Sequence, residues 1–265
     1  MIHHISEITK ANFQKGLTAT IGSYDGIHTA HREIIAQLVE KAKISGTESA
    51  IITFEPHPRV EIEGENSSLR ILTTLEEKDA IISNLGVDYI IVLKFDSIFR
   101  ALTANEFCNS ILIDKLNVKT LFVGFDNKIG SDRVNSCKFF SSNRLIEIVT
   151  IDQIAQNEKK IGSTTVRNLI CSGDILAANM LLEIPYFIRC KIDFNSKLII
   201  ENRFKLLPPK GEYRCQLTKE GENKIYGETV NLTINSDNKL IINKIFADCM
   251  DYNSYYIVEF IEKSS

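Results

Sequence analysis

Apolar positions along the N-terminal part of the chain recur in two alternating periods. The β-branched stretch 17–21 is followed, from His31, by Ile34, Ile35, Leu38, Val39 and Ala42 at the spacing of an amphipathic helix, which Gly46 ends. A second short apolar run, 49–54, closes at Pro56. Residues 74–85 predict a helix opened by a Ser/Thr-x-x-Glu capping box at Thr74 and Glu77, or one residue earlier, and stopped by Gly86. The next strand, 88–94, contains the apolar run Tyr89-Ile90-Ile91-Val92-Leu93. Thr103-Ala104-Asn105-Glu106 repeats the capping-box logic ahead of a helix to about residue 116, and strands follow at 120–124 and 145–151. Continuous apolar strands separated by helices of this length predict a parallel sheet covered on both faces, with right-handed crossovers. Such sheets bind ligands beyond the carboxyl ends of their strands.

Two short helices come next, one ending near Ser172-Gly173 and one spanning 174–182, and Pro185 marks a boundary. Beyond it the pattern is β: 187–200, 213–218, 229–234, 239–246 and 255–261 read as strands, with turn signals at Pro208-Pro209-Lys210-Gly211 and Asn235-Ser236-Asp237-Asn238. A small barrel or sandwich fits this part. The expected organisation is an α/β domain over 1–186 and a mostly β, barrel-like domain over 187–265.

Composition narrows the partners. The chain has 265 residues, 44% of them hydrophobic, enough for a substantial core. Lys and Arg number 31 against 34 acids, so no broad basic field points to nucleic acid and a small-molecule partner is expected. The opening Met1-Ile2-His3-His4-Ile5-Ser6-Glu7 has neither a basic nor an apolar targeting region and the apolar runs are strand-sized, so the expectation is a cytoplasmic protein without a membrane partner. Six scattered cysteines, Cys108, Cys137, Cys171, Cys190, Cys215 and Cys249, match neither a zinc signature nor a disulfide framework and read as reduced, mostly buried thiols. Oligomeric state is not legible.

Three stretches have the residue types for chemistry. In Gly22-Ser23-Tyr24-Asp25-Gly26-Ile27-His28-Thr29-Ala30-His31, both histidines fall on one face of the first turn of a helix, where unpaired N–H groups and the helix dipole attract phosphate. Gly22 and Gly26 would let the strand turn sharply and let a ligand approach the backbone. Zinc would need further ligands, and no cysteine partner is evident. In Thr53-Phe54-Glu55-Pro56-His57-Pro58-Arg59 two prolines flank a histidine, predicting an extended, rigid loop at the ligand edge of the sheet. Ser163, Thr164 and Arg167 put two hydroxyls at a helix start with an arginine one turn on, a set able to grip phosphate. Taken singly, the first reads as well as a structural turn, the second also as a plain strand exit, and the third rather as an ordinary helix cap.

In this order the three stretches resemble the FMN adenylyltransferase (FAD synthetase) module of the bacterial bifunctional riboflavin kinase/FAD synthetases. That family's motifs read Gly-x-Phe-Asp-Gly-x-His-x-Gly-His, Phe-x-Pro-His-Pro and Ile-Ser-Ser-Thr-x-Ile-Arg. Here they stand at 22–31, at Phe54-Glu55-Pro56-His57-Pro58 and at Ile161-Gly162-Ser163-Thr164-Thr165-Val166-Arg167. The likeness spans roughly 15–187, including Gly173-Asp174 and the helix after it. It implies a Rossmann-like nucleotidyltransferase domain with ATP and FMN as substrates and Mg²⁺ bridging phosphate oxygens, with no protein metal ligand assigned. It further implies that His28, His31, Ser163, Thr164 and Arg167 act on the triphosphate, that Gly22, Tyr24, Asp25, Gly26, His57 and Pro58 line the site, and that Asp126 and Asn127 lie on the flavin side.

The chain departs from the family at three places. Ala30 replaces the glycine between the histidines, where the backbone of such enzymes passes close to adenine. In Gly124-Phe125-Asp126-Asn127-Lys128-Ile129-Gly130, Ile129 stands where the family has an aromatic residue. The C-terminal part resembles a degenerate riboflavin kinase domain: Leu206-Leu207-Pro208-Pro209-Lys210-Gly211-Glu212-Tyr213 matches Leu-Pro-Pro-x-Gly-x-Tyr, but no Gly-x-Pro-Thr-x-Asn segment and no counterpart of the catalytic glutamate is found. The leading expectation is adenylyl transfer from ATP to FMN without riboflavin kinase activity. The alternatives are a nucleotide- or flavin-binding paralogue without turnover, and an adenylyltransferase for another phosphorylated acceptor.

Overall fold

The structure, a computed structural model, describes all residues except 1, 5–6, 8–11, 125–127, 136–138, 140–145, 152–154, 157–158, 161, 194–196, 222–228, 236–239, 243–250, 252–253 and 265. Its first part alternates strands and helices: β1 (Ile2–His4), β2 (Leu17–Ile21), α1 (Thr29–Ser45), β3 (Glu48–Glu55), α2 (Pro58–Glu63), α3 (Leu75–Ser83), β4 (Tyr89–Lys94), α4 (Ser97–Ala101) and α5 (Ala104–Glu106). Strand β5 (Val118–Gly124), the hairpin β6 (Lys128–Ile129) and β7 (Val134–Asn135), β8 (Glu147–Ile151), and the pair β9 (Ala155–Gln156) and β10 (Lys159–Lys160) complete it.

Six strands pair in parallel in the order β1-β4-β3-β2-β5-β8. Residues 17–20 of β2 are all buried, without the alternation of a half-exposed strand, as a central parallel strand covered on both faces requires. From β2 the chain builds β3 and β4 to one side, then crosses to add β5 on the other. The carboxyl end of β2 is therefore the topological switch point, where open α/β sheets bind ligands. The edge strand β1, formed by the N-terminal residues, has no counterpart among the expected elements.

The expected helix over 103–116 is a correction. After the Thr103–Glu106 capping box and α5, residues Phe107–Ile113 form a π-helix, with Asp114 N–H donating to the Asn109 carbonyl and Leu116 N–H to that of Ile111, both at 2.9 Å. Phe107, Cys108 and Leu112 are its buried residues, and a spacing of five falls on one face only in the wider turn. Ile129 is buried in the same core, and Gly130 turns at φ +74°, where a Cβ would run into the Ala104 backbone nitrogen.

The second part holds α6 (Ser163–Ser172), α7 (Ile175–Leu182) and strands β11 (Tyr186–Ile192), β12 (Lys197–Ile199), β13 (Gly211–Lys219), β14 (Val230–Ile234), β15 (Leu240–Ile242) and β16 (Tyr256–Lys263). The last six close an antiparallel barrel in the order β11-β12-β15-β14-β13-β16. The single strand expected over 187–200 is two, because Asp193 turns the chain: its backbone N–H donates to the Lys197 carbonyl while its carboxylate accepts from Lys197 N–H, both at 2.9 Å. Alternate residues point inward, among them Tyr186, Ile188, Cys190 and Ile192 from β11 and Tyr256, Val258 and Phe260 from β16. Of the described cysteines, Cys108, Cys190 and Cys215 are buried and Cys171 is exposed; all four are free thiols, and Cys137 and Cys249 lie outside the described residues.

Compactness follows chain order only in part. One unit comprises 1–69 and 78–160, the other 70–77 and 161–265, so the chain passes between units three times. Helices α6 and α7 bury Val166, Ile170, Ile175, Ala178 and Leu182 in the barrel's own core, together with Leu72. Segment 70–77 is tied in by a parallel bridge between Ile71 and Lys205 and by a buried ion pair. Lys205 Nζ donates to Glu77 Oε2 and to the Leu72 carbonyl, each at 2.6 Å, and Glu77 also accepts from the backbone N–H groups of Thr74 and Arg189. Both side chains are almost fully enclosed, and removing one partner would leave a buried charge uncompensated. Lys205→Met is therefore expected to cost about 3–5 kcal/mol in urea unfolding at pH 7; a loss below about 1 kcal/mol would show that the pair is not what holds the segment.

Candidate active site

Between Ile21 and Thr29 the backbone makes an unusual turn. Tyr24 (φ 45°), Gly26 (φ 87°) and Ile27 (φ 43°) are all left-handed. Glycine accepts this freely, but Ile27 is β-branched and fully buried, and such a residue held there is strained by about 1–3 kcal/mol. The Ile27 carbonyl accepts from Arg32 Nε at 3.2 Å, fastening the loop to the helix it precedes. Gly22 is not left-handed; a Cβ there would lie 3.2 Å from the Tyr24 ring, so its lack of a side chain makes room for that ring. Asp25, like Tyr24, is buried.

The turn delivers His28 and His31 to the head of α1, where their rings stack with centroids 3.8 Å apart and planes 20° apart. The Tyr24 ring lies 4.8 Å from that of His31. Burial holds His31 well below the usual histidine range, and the nearby His28 and Lys78 reinforce this. His31 is therefore neutral at pH 7, and its Nδ1 is buried without a hydrogen-bond partner among the described residues. The buried Lys78 of α3 was not singled out by sequence reasoning, since a lysine in a predicted helix reads as a solvated position.

How the helices begin sets two apart. Helix α2 is capped by His57, α4 by Asp96, α5 by Thr103 and α7 by Asp174, and Thr74 caps α3 through Glu77 N–H. Among the described α-helices, α1 and α6 alone start without a side-chain cap, and neither has an acid in its first turn. A missing cap forgoes about 1 kcal/mol and leaves the positive end of the helix to an incoming anion. These two helices carry the first and third motifs.

His57 corrects the expected extended loop: its Nδ1 accepts from Arg59 N–H at 3.2 Å, making it the cap of α2, with Pro58 at the first helical position. The accepting Nδ1 leaves Nε2 as the ring's donor. Ser163 and Thr164 occupy the first turn of α6, and Arg167 donates from Nε to the Arg70 carbonyl at 2.9 Å. His28, His31, Tyr24, Asp25, Gly22, Gly26, His57 and Pro58 belong to the first unit and Ser163, Thr164 and Arg167 to the second; Asp126 and Asn127 lie outside the described residues. Ala30 is helical and half-buried at the second position of α1, so glycine there would supply room rather than conformation. Ile129 packs in the core, so aromatic surface at this edge comes from elsewhere: half-buried Phe54 near the end of β3, Phe95 just after β4 and Phe99 in α4 meet with centroids 5.4–5.6 Å apart.

A parallel sheet with anion-ready donors past its central strand defines a nucleotide-binding α/β protein. The FAD synthetase family profile matches residues 10–165. A bifunctional riboflavin kinase/FMN adenylyltransferase of Listeria monocytogenes is 29% identical over 243 residues, covering 86% of this chain and 77% of its own length. One of Pseudomonas fluorescens is 34% identical over 221 residues, covering 79% and 70%. A solved structure described as a macrolide-efflux protein from Streptococcus pneumoniae aligns over 100% of this chain and 91% of its own, with a TM-score of 0.81 at 22% identity, a likeness of fold. The chain belongs to the FAD synthetase family, and its activity is FMN adenylyltransferase, with ATP and FMN as substrates. Among the described residues no helix is long and apolar enough to cross a membrane.

The depressed His31 pKa has a consequence for stability. The unfolded chain takes up a proton on this ring near pH 6.5 and the folded chain only at lower pH, so the folded state is fully favoured above about 6.5 and loses stability as pH falls toward the folded value. One such proton contributes a slope of up to about 1.4 kcal/mol per pH unit. His31→Gln is expected to flatten that slope between about pH 6.5 and 5 in urea titrations; an unchanged slope would show that His31 is not the group involved.

Proposed function

We propose that adenylyl transfer is carried by the motif residues at the heads of α1 and α6. The terminal phosphate of FMN attacks the α-phosphorus of ATP, a new phosphorus–oxygen bond forms, the bond to the β-phosphate bridge breaks, and pyrophosphate leaves. The attacking phosphate is largely dianionic near neutral pH, with a second pKa of about 6, so no strong base is required. The protein's contribution is position and charge stabilisation. His28 and His31 donate to the triphosphate, and Ser163, Thr164 and Arg167 bind phosphate as well. Gly22, Tyr24, Asp25, Gly26, His57 and Pro58 shape the surroundings, with Asp126 and Asn127 on the flavin side.

The observation that carries this reading is the head of α1, where the N-cap side chain makes no cap bond, with its stacked histidine pair, His28 buried and His31 half-buried, and the unpartnered His31 nitrogen. Mg²⁺, where bound with the nucleotide, would neutralise charge on the phosphate oxygens, and no protein ligand is assigned to it. The half-buried Phe54, Phe95 and Phe99 supply the aromatic character that favours a flavin acceptor despite Ile129.

Functionally the division follows the sequence: 1–186 performs the transfer and 187–265 does not phosphorylate riboflavin. Supporting this, the remnant 206–213 is used to build the barrel. The Tyr186 hydroxyl donates to the Leu206 carbonyl at 2.7 Å, and Tyr213, buried in the core, donates to the Pro209 carbonyl at 2.6 Å. The small net charge of −3 favours small-molecule partners over nucleic acid, and ATP as substrate supports a cytoplasmic location without a membrane partner.

Purified protein with ATP, Mg²⁺ and FMN is expected to form FAD and pyrophosphate, and with riboflavin in place of FMN to form no FMN. Absence of FAD at high enzyme concentration would leave the binding paralogue as the better reading, while FMN from riboflavin would restore the kinase. His31→Ala should lower turnover about 10²- to 10³-fold while the fold is kept.

A further inference from the structure

We propose that Tyr24 is a positioning residue for His31, acting through a buried brace to the central strands of the sheet. The inference rests on the reading of His31 as a phosphate donor. The brace begins at Thr20, buried on β2, whose hydroxyl donates to the Phe122 carbonyl of β5 at 3.3 Å. A hydroxyl has one hydrogen, so in the 2.6 Å contact between Thr20 Oγ1 and the Tyr24 hydroxyl it is the phenol that donates. The direction of the chain is therefore fixed: Tyr24 to Thr20 to the Phe122 carbonyl. Burial raises the phenol's pKa, so it keeps its proton at any working pH.

The other features of the loop serve the same placement. Tyr24 holds a left-handed conformation unfavourable for a residue with a side chain, and Gly22 leaves the space its ring fills. The ring is buried rather than presented to a ligand, and it lies 4.8 Å from His31, whose own ring stacks on His28. The orientation of both imidazoles is thus referred to the sheet through Tyr24. A donor turned out of line loses its effect on the transition state even when the helix carrying it is intact.

The test is a double-mutant cycle on FAD formation with the 265-residue chain, with kcat, KM for FMN and thermal melting measured for Tyr24→Leu, Tyr24→Phe, Thr20→Val, His31→Ala and the pairs. Tyr24→Leu is expected to lower kcat by about 10-fold with KM for FMN unchanged. Tyr24→Phe and Thr20→Val should each lower it by about 3-fold and together no more than either alone, because one hydrogen bond is lost once. In the His31→Ala background Tyr24→Leu should cost less than about 2-fold further. Full multiplication of the Tyr24 and His31 effects, or a lowered melting temperature in Tyr24→Leu with kcat intact, would overturn the positioning role. Should Tyr24→Leu fail to fold, Tyr24→Phe and Thr20→Val decide through the same coupling to His31→Ala. If His31→Ala alone leaves FAD formation unchanged, the phosphate-donor reading falls and the positioning role with it; a slowed His31→Ala without coupling removes only the latter.

Discussion

The site depends on one constraint: the chain must leave the central strand at Ile21 and enter a helix at Thr29 with both histidines turned to the same place. It does so through a loop in which Tyr24 and Ile27 are left-handed, a conformation costing about 1–3 kcal/mol at each. Such strain persists only where the surroundings over-determine it. Here they do so from three directions: the buried strand before it, the Thr20–Tyr24 hydrogen bond beneath it, and helix α1 after it, anchored by buried Ile35, Leu38 and Ala42. The sheet core thus stabilises a turn that an isolated peptide would not adopt.

The electrostatics of the helix heads follow from what has been left out. Elsewhere a side chain satisfies the first N–H groups of a helix, as Asp96 and Thr103 do. At α1 and α6 the N-cap residue makes no such side-chain bond, an arrangement that suits a phosphate at the helix head. Two protonated imidazoles 3.8 Å apart would repel, and burial keeps His31 neutral, so the stack is compatible with a dry site before substrate binds. On the proposed mechanism the polyanion would meet donors already oriented, with little reorganisation required.

The barrel has a structural part to play whatever its own chemistry. Helix α6, whose first turn carries Ser163 and Thr164, buries Val166 and Ile170 in the barrel core. Segment 70–77 is drawn into the same unit by the Glu77–Lys205 pair, and it offers the Arg70 carbonyl that holds Arg167. A helix of ten residues is marginal alone, so the barrel is the support on which the third motif stands.

Much of this was legible in sequence, because it rests on local chemistry. The periodicity of 17–45 and both capping boxes are set by backbone geometry and by which faces meet water, and the spacing of His28 and His31 places them on one helical turn. What only the tertiary structure decided depends on contacts between residues far apart in the chain. No local rule brings Thr20 to Phe122, Lys205 to Glu77, or α6 into the barrel core. The same holds for the three residues whose meaning changed: Gly22 accommodates an aromatic ring, His57 caps a helix, and Ile129 fills the core where an aromatic was expected to meet a flavin. A sequence states which side chains are present and how they alternate; their neighbours across the fold, and so their roles, are fixed only when burial selects one packing.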